Sequence, residues 1–493
     1  HASQTRINTE CVEFCSWLLK IIYEVLVLSH ELKSINEFNI EKYLRESKDR
    51  GANIMTLRQQ SEYIIRHTLH SVLPDEAVKA VLTGDRFRSV VDDSGKLYLV
   101  AIGKAAWQMA QAAAEILDDR LDGGIVLTKY DHVKGEIQHV ECLEAGHPVP
   151  DENSFEGTQK ILDMTADLSP EDVVLFLISG GGSALFEKPL VSGKELEDVT
   201  KQLLASGANI KEMNTIRKRL SAVKGGRFAQ HVAPAKIFSI VLSDIIGDQL
   251  DMIASGPACA DQSTCEETLE IADRYGLKLK DSIKELLKKE TPKELHNVET
   301  VISGSVSALC TAAKEACEKL GYESVILTDR LDCEAKEAGA VLASIAKTHC
   351  CNMQGKRCGD IPQNMQQNEQ QKNTNKLAFI AGGETVVHLH GTGKGGRNQE
   401  LALSAAIGLD GMDGVALFSI GSDGTDGPTD AAGGYVDGKT CEMLRKHKTD
   451  IYHELRNNNA YATLEKCDGL IKTGPTGTNV NDVTVLLIEE RNI

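Results

Sequence analysis

An α/β fold in two large domains is what this sequence predicts, and three observations predict it. The 493 residues exceed what a single small core organises. Short β-branched runs alternate with longer stretches of helical spacing. Several runs are apolar throughout, as strands covered on both faces are. In chain order the expected strands are 97–102, 125–127, 173–178, 237–242, 324–327, 377–380, 415–420 and 483–488. Between the first two, Ala106, Met109, Ala113 and Ile116 recur at steps of three and four, a stripe suited to packing on a sheet. The expected architecture is a parallel or mixed sheet with helices.

A shift to charged, helical composition over 276–298 reads as a surface connection, which places a domain boundary at 290/291, to within about 15 residues. The expected organisation is an N-terminal extension over 1–50, a first domain over 51–290 and a second over 291–493. Within the second, 350–376 is rich in Asn, Gln and Lys, centred on Gln366-Gln367-Asn368-Glu369-Gln370-Gln371. Too few apolar residues are present to offset the ordering entropy, so a mobile insertion without chemistry is expected.

A formal charge of −18 argues against nucleic acid or an anionic membrane as partner, while a local basic pocket for a small anion stays open. The apolar stretch 14–28 is interrupted by Lys20 and Glu24, so no membrane span is expected. Thirteen cysteines without a CxxC pair, and no secretory h-region, point to a reducing compartment, cytoplasmic or mitochondrial. Self-association is left open.

The 42 glycines cluster in runs, a sign of backbone approaching a ligand or of tight turns. Ser179-Gly180-Gly181-Gly182-Ser183 follows an expected strand, where consecutive N–H groups can converge on phosphate; a plain strand-to-helix turn is the alternative. Lys104 opens a helix, against the dipole, unless an anion lies there. Asp244 and Asp248 follow another strand and suit Mg²⁺, a hydroxyl nucleophile, or the capping of the next helix. Arg397 and Asn398 open an apolar helix after the glycine-rich 391–396, making Arg397 the leading anion-binding candidate; an ion pair, such as one with Glu400, competes. Asp423 and Asp426 could hold metal or a ribose, and the loop with Thr478 and Asn479 offers hydroxyls and amides to phosphate. Asn214, Arg217 and Lys224 form a polar, cationic set on an expected helix, a solvated face being the alternative. The match of 433–440 to the G-x-x-x-x-G-K-[ST] pattern lacks an upstream strand and contains Tyr435 and Val436, so it reads as chance. No GxGxxG follows a strand. His388 and His390, expected on one strand face, lack a third ligand for a metal.

Taken together, the segments 177–185, 213–218, 242–248 with 253–257, 381–385 with 395–403, and 476–479 resemble the class II glycerate 2-kinases, whose C-terminal half carries the MOFRL signature. The resemblance covers about residues 55–493. It implies an N-terminal Rossmann-like doubly wound lobe, a smaller C-terminal MOFRL-type α/β lobe and an active site in the cleft between them. It further implies transfer of the γ-phosphoryl of ATP to the 2-hydroxyl of D-glycerate, with Mg²⁺ required. Lys104 and Arg397 match positions thought to act in catalysis. With phosphoryl transfer resting on positioning and charge neutralisation, Lys104 and Arg397 are expected to hold the glycerate carboxylate and the developing charge. Ser179 to Ser183 would cradle phosphate, with Asn214 and Arg217 on the substrate. Asp244 or Asp248 would hold Mg²⁺ or orient the hydroxyl. Asn398, Asp423, Asp426, Thr478 and Asn479 would complete the nucleotide side. Replacing Arg397 with Ala is expected to cut turnover and leave the fold intact. The competing activity is a hydroxypyruvate reductase, which the missing GxGxxG disfavours.

Overall fold

The computed structural model describes residues 55–91, 94–353 and 376–489; the extension 1–50 and most of the polar insertion lie outside them. Strands β1 (Leu97–Ile102), β2 (Gly123–Lys129), β3 (Val140–Ala145), β4 (Val173–Ile178), β5 (Lys236–Leu242) and β6 (Val298–Gly304) form one sheet in the order β3-β2-β1-β4-β5-β6. Every neighbouring pair is parallel. This is a doubly wound order that reverses between β1 and β4, with Ile102 opposite both Leu127 and Ile178.

Because successive strand side chains point to opposite faces, Leu99, Ala101, Leu175 and Leu177 pack with Met109 and Ala113 of helix Ala106–Leu117 on one side. Val100, Ile102, Phe176 and Ile178 pack with Phe186 and Phe228 on the other. Burial on both faces accounts for runs with no polar alternation. Ile116, expected in the buried stripe, is 36% exposed; at about 100° per residue it falls at the stripe's edge.

Strands β7 (Glu323–Leu331), β8 (Lys376–Gly383), β9 (Val415–Gly421), β10 (Gly433–Asp437), β11 (Leu470–Ile471) and β12 (Asp482–Glu489) form a second sheet, ordered β11-β10-β9-β12-β8-β7. It is mixed: β7 runs parallel to β8, and the other pairs are antiparallel. Helices Ala335–Met353 and Arg397–Leu409 share a core with Leu417, Val436 and Leu486. Both sheets belong to one compact unit, 63–493. Among the described residues no helix is long and apolar enough to cross a membrane.

The first sheet runs to Gly304, inside the interval of about 15 residues given for the boundary at 290/291. Two expectations change. The charged stretch 276–298 is not a plain connection: helix Asp281–Leu287 turns Ile283 and Leu287 into a core with Leu203 and Ile216, leaving its lysines outside. His388 and His390 lie in irregular chain beyond β8, both exposed, rather than on a strand face. The P-loop-like match is β10 itself, whose Gly433 and Gly434 pair with Ile420 and Ser419. Its backbone is committed to the ladder, so it forms no phosphate loop.

Candidate active site

The carboxyl ends of β1 and β4, where the strand order reverses, bring the first two motifs into contact. Gly103 sits at φ +113, and any Cβ there would overlap Ser179, so only glycine allows the approach. Lys104 N–H donates to Gly180 O at 2.8 Å. Ser179 Oγ accepts from Ala105 N–H at 3.1 Å and donates to Ile102 O at 3.2 Å. Ser179 is therefore buried as the clamp between the loops, not open to a ligand as expected. The N–H groups of Gly180, Gly181, Gly182 and Ser183 donate to no acceptor among the described residues. Four consecutive N–H groups are thus left for an acceptor from outside the chain, as in the backbone nests that bind anions.

Asp244, at the end of β5, lies across this loop. A Cβ on Gly180 would stand 2.5 Å from Asp244 Oδ2 and 3.7 Å from Lys104 Cε, so carboxylate and lysine flank one glycine. Burial pushes the Asp244 carboxyl above its ordinary range, and Glu384 adds to this; Lys104 and its own N–H act in the opposite sense. Among the described residues Lys104 makes no ion pair within 4 Å. Asp248 is half-buried four residues on, at φ +51, and neither aspartate caps a regular helix.

Asn214 and Arg217 lie on helix Ile210–Arg219 and reach the same loop, so this set is not a solvated face. Ser183 Oγ is 3.0 Å from Ser255 Oγ, which donates to Asn214 Oδ1 at 3.2 Å. Arg217 Nη2 donates to Ser183 O at 3.4 Å, while its Nε is buried with no acceptor among the described residues. Lys224 is withdrawn from the site, fully buried against Glu187 at 2.8 Å.

The second lobe contributes Arg397. Its guanidinium grips Asp482 through Nε (2.6 Å) and Nη2 (3.1 Å), and Nη1 donates to Glu384 at 2.8 Å. Burial opposes the charge, but the bonds and charge of Asp482 and Glu384 hold Arg397 above its ordinary value. The partners are thus Asp482 and Glu384; Glu400 instead accepts from Asn458 at 3.1 Å. Glu384, the partner of Arg397, raises the Asp244 carboxyl and Lys104 lowers it. Asn481 Nδ2 also donates to Asp244 O at 3.2 Å, joining the lobes there.

The remaining candidates divide. Asp426 accepts from the N–H groups of Asn398 (3.2 Å) and Gln399 (2.8 Å), and Asn398 Oδ1 accepts from Ser419 Oγ at 2.6 Å. Both are buried, so they secure the first turn of the Arg397 helix and do not face a nucleotide. Asp423 Oδ1 accepts from Thr425 N–H at 2.9 Å, and Asp423 O from Thr476 N–H at 3.2 Å. That bond knits its loop to the one bearing Thr478, whose Oγ1 is buried without a partner among the described residues, and the exposed Asn479. No three His, Cys, Asp or Glu side chains cluster as a metal site among the described residues.

Sequence reasoning did not single out Ser255, Glu384, Asp482, Asn481 or His147 as site residues. Ser255 and Glu384 stood inside quoted motifs, whereas Asp482 read only as the residue before a strand. Ala254 and Ser255 are both left-handed, at φ +50 and +60, a strain found where a site constrains the chain.

Compared with known proteins, residues 60–288 match a family model described as "Domain of unknown function (DUF4147)" and residues 377–482 match the MOFRL family. D-glycerate 2-kinase of Thermotoga maritima is 48% identical over 435 residues, 88% of this chain and 99% of that protein. Glycerate 2-kinase of Pyrococcus horikoshii is 39% identical over 427 residues, 84% of this chain and 91% of that protein. The crystal structure of the Thermotoga maritima glycerate kinase is similar with a TM-score of 0.79 at 49% identity, covering 88% of this chain and 99% of that one.

Proposed function

The chain belongs to the glycerate 2-kinase family, and from that premise we propose that it transfers the γ-phosphoryl group of ATP to the 2-hydroxyl of D-glycerate, giving 2-phosphoglycerate. The observation that carries this reading is the row of open N–H groups from Gly180 to Ser183, flanked by Lys104 and Asp244. Fixed donors and a nearby ammonium stabilise charge on a transferring phosphoryl group without reorganising as it moves.

In the proposed arrangement the N–H groups of Gly180 to Ser183 hold phosphoryl oxygens and Lys104 neutralises the charge that develops on them. Arg217, with Asn214 and Ser255 fixing the wall behind Ser183, takes the glycerate carboxylate. Asp244, whose carboxyl burial raises, accepts the proton of the 2-hydroxyl or orients it. Arg397 adds positive charge from the second lobe through the N–H groups that Asp482 and Glu384 leave open. Asp423, Thr478 and Asn479 stand on the nucleotide side. The donor chemistry at Asp244 suits Mg²⁺: no described side-chain donor occupies its carboxylate. Hard carboxylate oxygens supplemented by phosphate and water are this ion's usual set, with Asp248 as a further ligand. When bound, Mg²⁺ would offset phosphate charge. We place the reaction in the cytoplasm, where the free cysteines of the described residues stay reduced.

A coupled assay tests the reading. ADP release that depends on D-glycerate, with the product esterified at the 2-hydroxyl, is expected. Oxidation of NAD(P)H with hydroxypyruvate and no ADP release would replace it with the reductase.

A further inference from the structure

The half-buried imidazole of His147 lies beyond the end of β3, against the glycine loop. A Cβ on Gly181 would stand 2.9 Å from both its Nε2 and Cδ2, and 3.2 Å from Lys104 Cγ. Neither ring nitrogen of His147 has a hydrogen-bond partner among the described residues. Lys104 after β1, Lys129 at the end of β2 and His132 beyond it add positive charge near the ring. His132 Nδ1 is bonded to Lys104 O at 2.9 Å. The carboxylates on this rim are engaged elsewhere. Glu144 accepts from the N–H groups of His132 and Val133, and Asp151 from Gly146, Ser154 and the Tyr130 hydroxyl.

A chain of charge −18 thus places Lys104, Lys129, His132 and His147 near four open N–H groups, and the carboxylate that flanks this loop is Asp244, at Gly180 rather than at Gly181 where His147 lies. An excess of basic groups at the carboxyl edge of a doubly wound sheet calls for an anionic ligand. We propose that His147 is a further ligand of the phosphoryl anion held at the glycine loop, taking up a proton as that anion binds and giving it up on release. In the free protein, burial first, then Lys104, Lys129 and His132, keep the imidazole below its ordinary range and so neutral near pH 7. A dianion beside Gly181 reverses the balance, because an opposite charge within a few ångströms favours the protonated ring. Proton uptake then ties phosphate affinity to pH.

The inference rests on the glycine loop being the phosphate site, and its test separates the two. His147 is followed by NMR in the full chain carrying ¹³C-labelled histidine, its signal assigned by its loss in His147→Gln, with and without saturating ADP. The expected result is a midpoint raised by about one unit or more with ADP, a tenfold change in proton affinity. His147→Gln should also bind ADP roughly tenfold more weakly near pH 6, with the difference narrowing toward about pH 8. An unmoved midpoint while calorimetry shows ADP bound overturns the role of His147 alone. ADP that fails to bind overturns the phosphate loop, and this inference with it. Equal weakening at every pH marks His147 as structural and also overturns it.

Discussion

Arg397 shows how one residue joins function to folding. A guanidinium at the head of a buried helix was expected to lie open to an anion; it is instead shared between Asp482, 8% exposed, and Glu384, 47% exposed. Removing one partner of a buried pair leaves a stranded charge. Arg397→Ala should therefore cost about 3–5 kcal/mol in urea unfolding as well as activity, in place of the intact fold expected from sequence. Arg397→Lys keeps the charge but loses the two-pronged grip on Asp482. It should remain folded while turnover falls by roughly a hundredfold or more; near-normal turnover would remove Arg397 from the reaction. Asp426 makes a separate prediction. Burial raises its carboxyl from 3.8 to about 6 against the pull of the Gln399 and Asn398 N–H groups. The folded chain thus holds this proton more tightly than the unfolded one. The contribution of Asp426 is most favourable below about pH 4, declines by on the order of 3 kcal/mol up to about pH 6, and is flat beyond. Comparing the pH dependence of unfolding in the parent chain and Asp426→Asn should show that slope lost in the variant.

At the scale of elements, strand ends and their glycines decide the site. Gly103 and Gly180 lie in the neighbouring loops after β1 and β4, yet substituting them should not give the same result. A Cβ at Gly103 meets the backbone and hydroxyl of Ser179 at a positive φ, with no flexible atom to yield. Gly103→Ala should lower both melting temperature and turnover. At Gly180 the obstacle is the far end of the Asp244 side chain, which can rotate away. Gly180→Ala should keep the melting temperature within a few degrees, the effect of about 1 kcal/mol or less, while lowering turnover. Equal thermal losses in both would refute this division. The same scale explains which strands were legible. Those buried on both faces, such as Val173–Ile178, stand out as unbroken apolar runs. Edge strands β3 and β6 carry Glu141, Glu144, Glu299 and Thr300 because they are only partly covered. They lack that signal, and β10 was obscured by its two glycines.

Across the whole molecule, side chains that follow the two sheets meet at one seam. Asn481, held at φ +65, reaches from the end of the second lobe's loop to Asp244 O, and Gly477 lies against Gln108 of the helix following Lys104. Asn481→Gly preserves the left-handed backbone and removes the inter-lobe bond. It should reduce turnover more than stability, checked by comparing kcat with the unfolding midpoint. Lys104→Ala and Arg397→Lys, if they serve one charge-neutralising unit, should be non-additive: the double variant should lose little more rate than the worse single one. Additive losses would separate their roles.

What the sequence determined by itself was local and periodic: apolar runs and stripes named the central strands and their helices, and glycine and charged residues after strand ends named Lys104, Gly180 to Ser183, Asp244 and Arg397 as the residues to examine. Only the tertiary structure decided which charges are compensated. It gave Asp482 and Glu384 to Arg397, turned Asp426 and Asn398 inward to secure a helix end, and left Lys104 and the glycine-loop amides open. Pairing depends on distances between residues far apart in the chain, such as Arg397 and Asp482, and no local pattern encodes a distance of that kind.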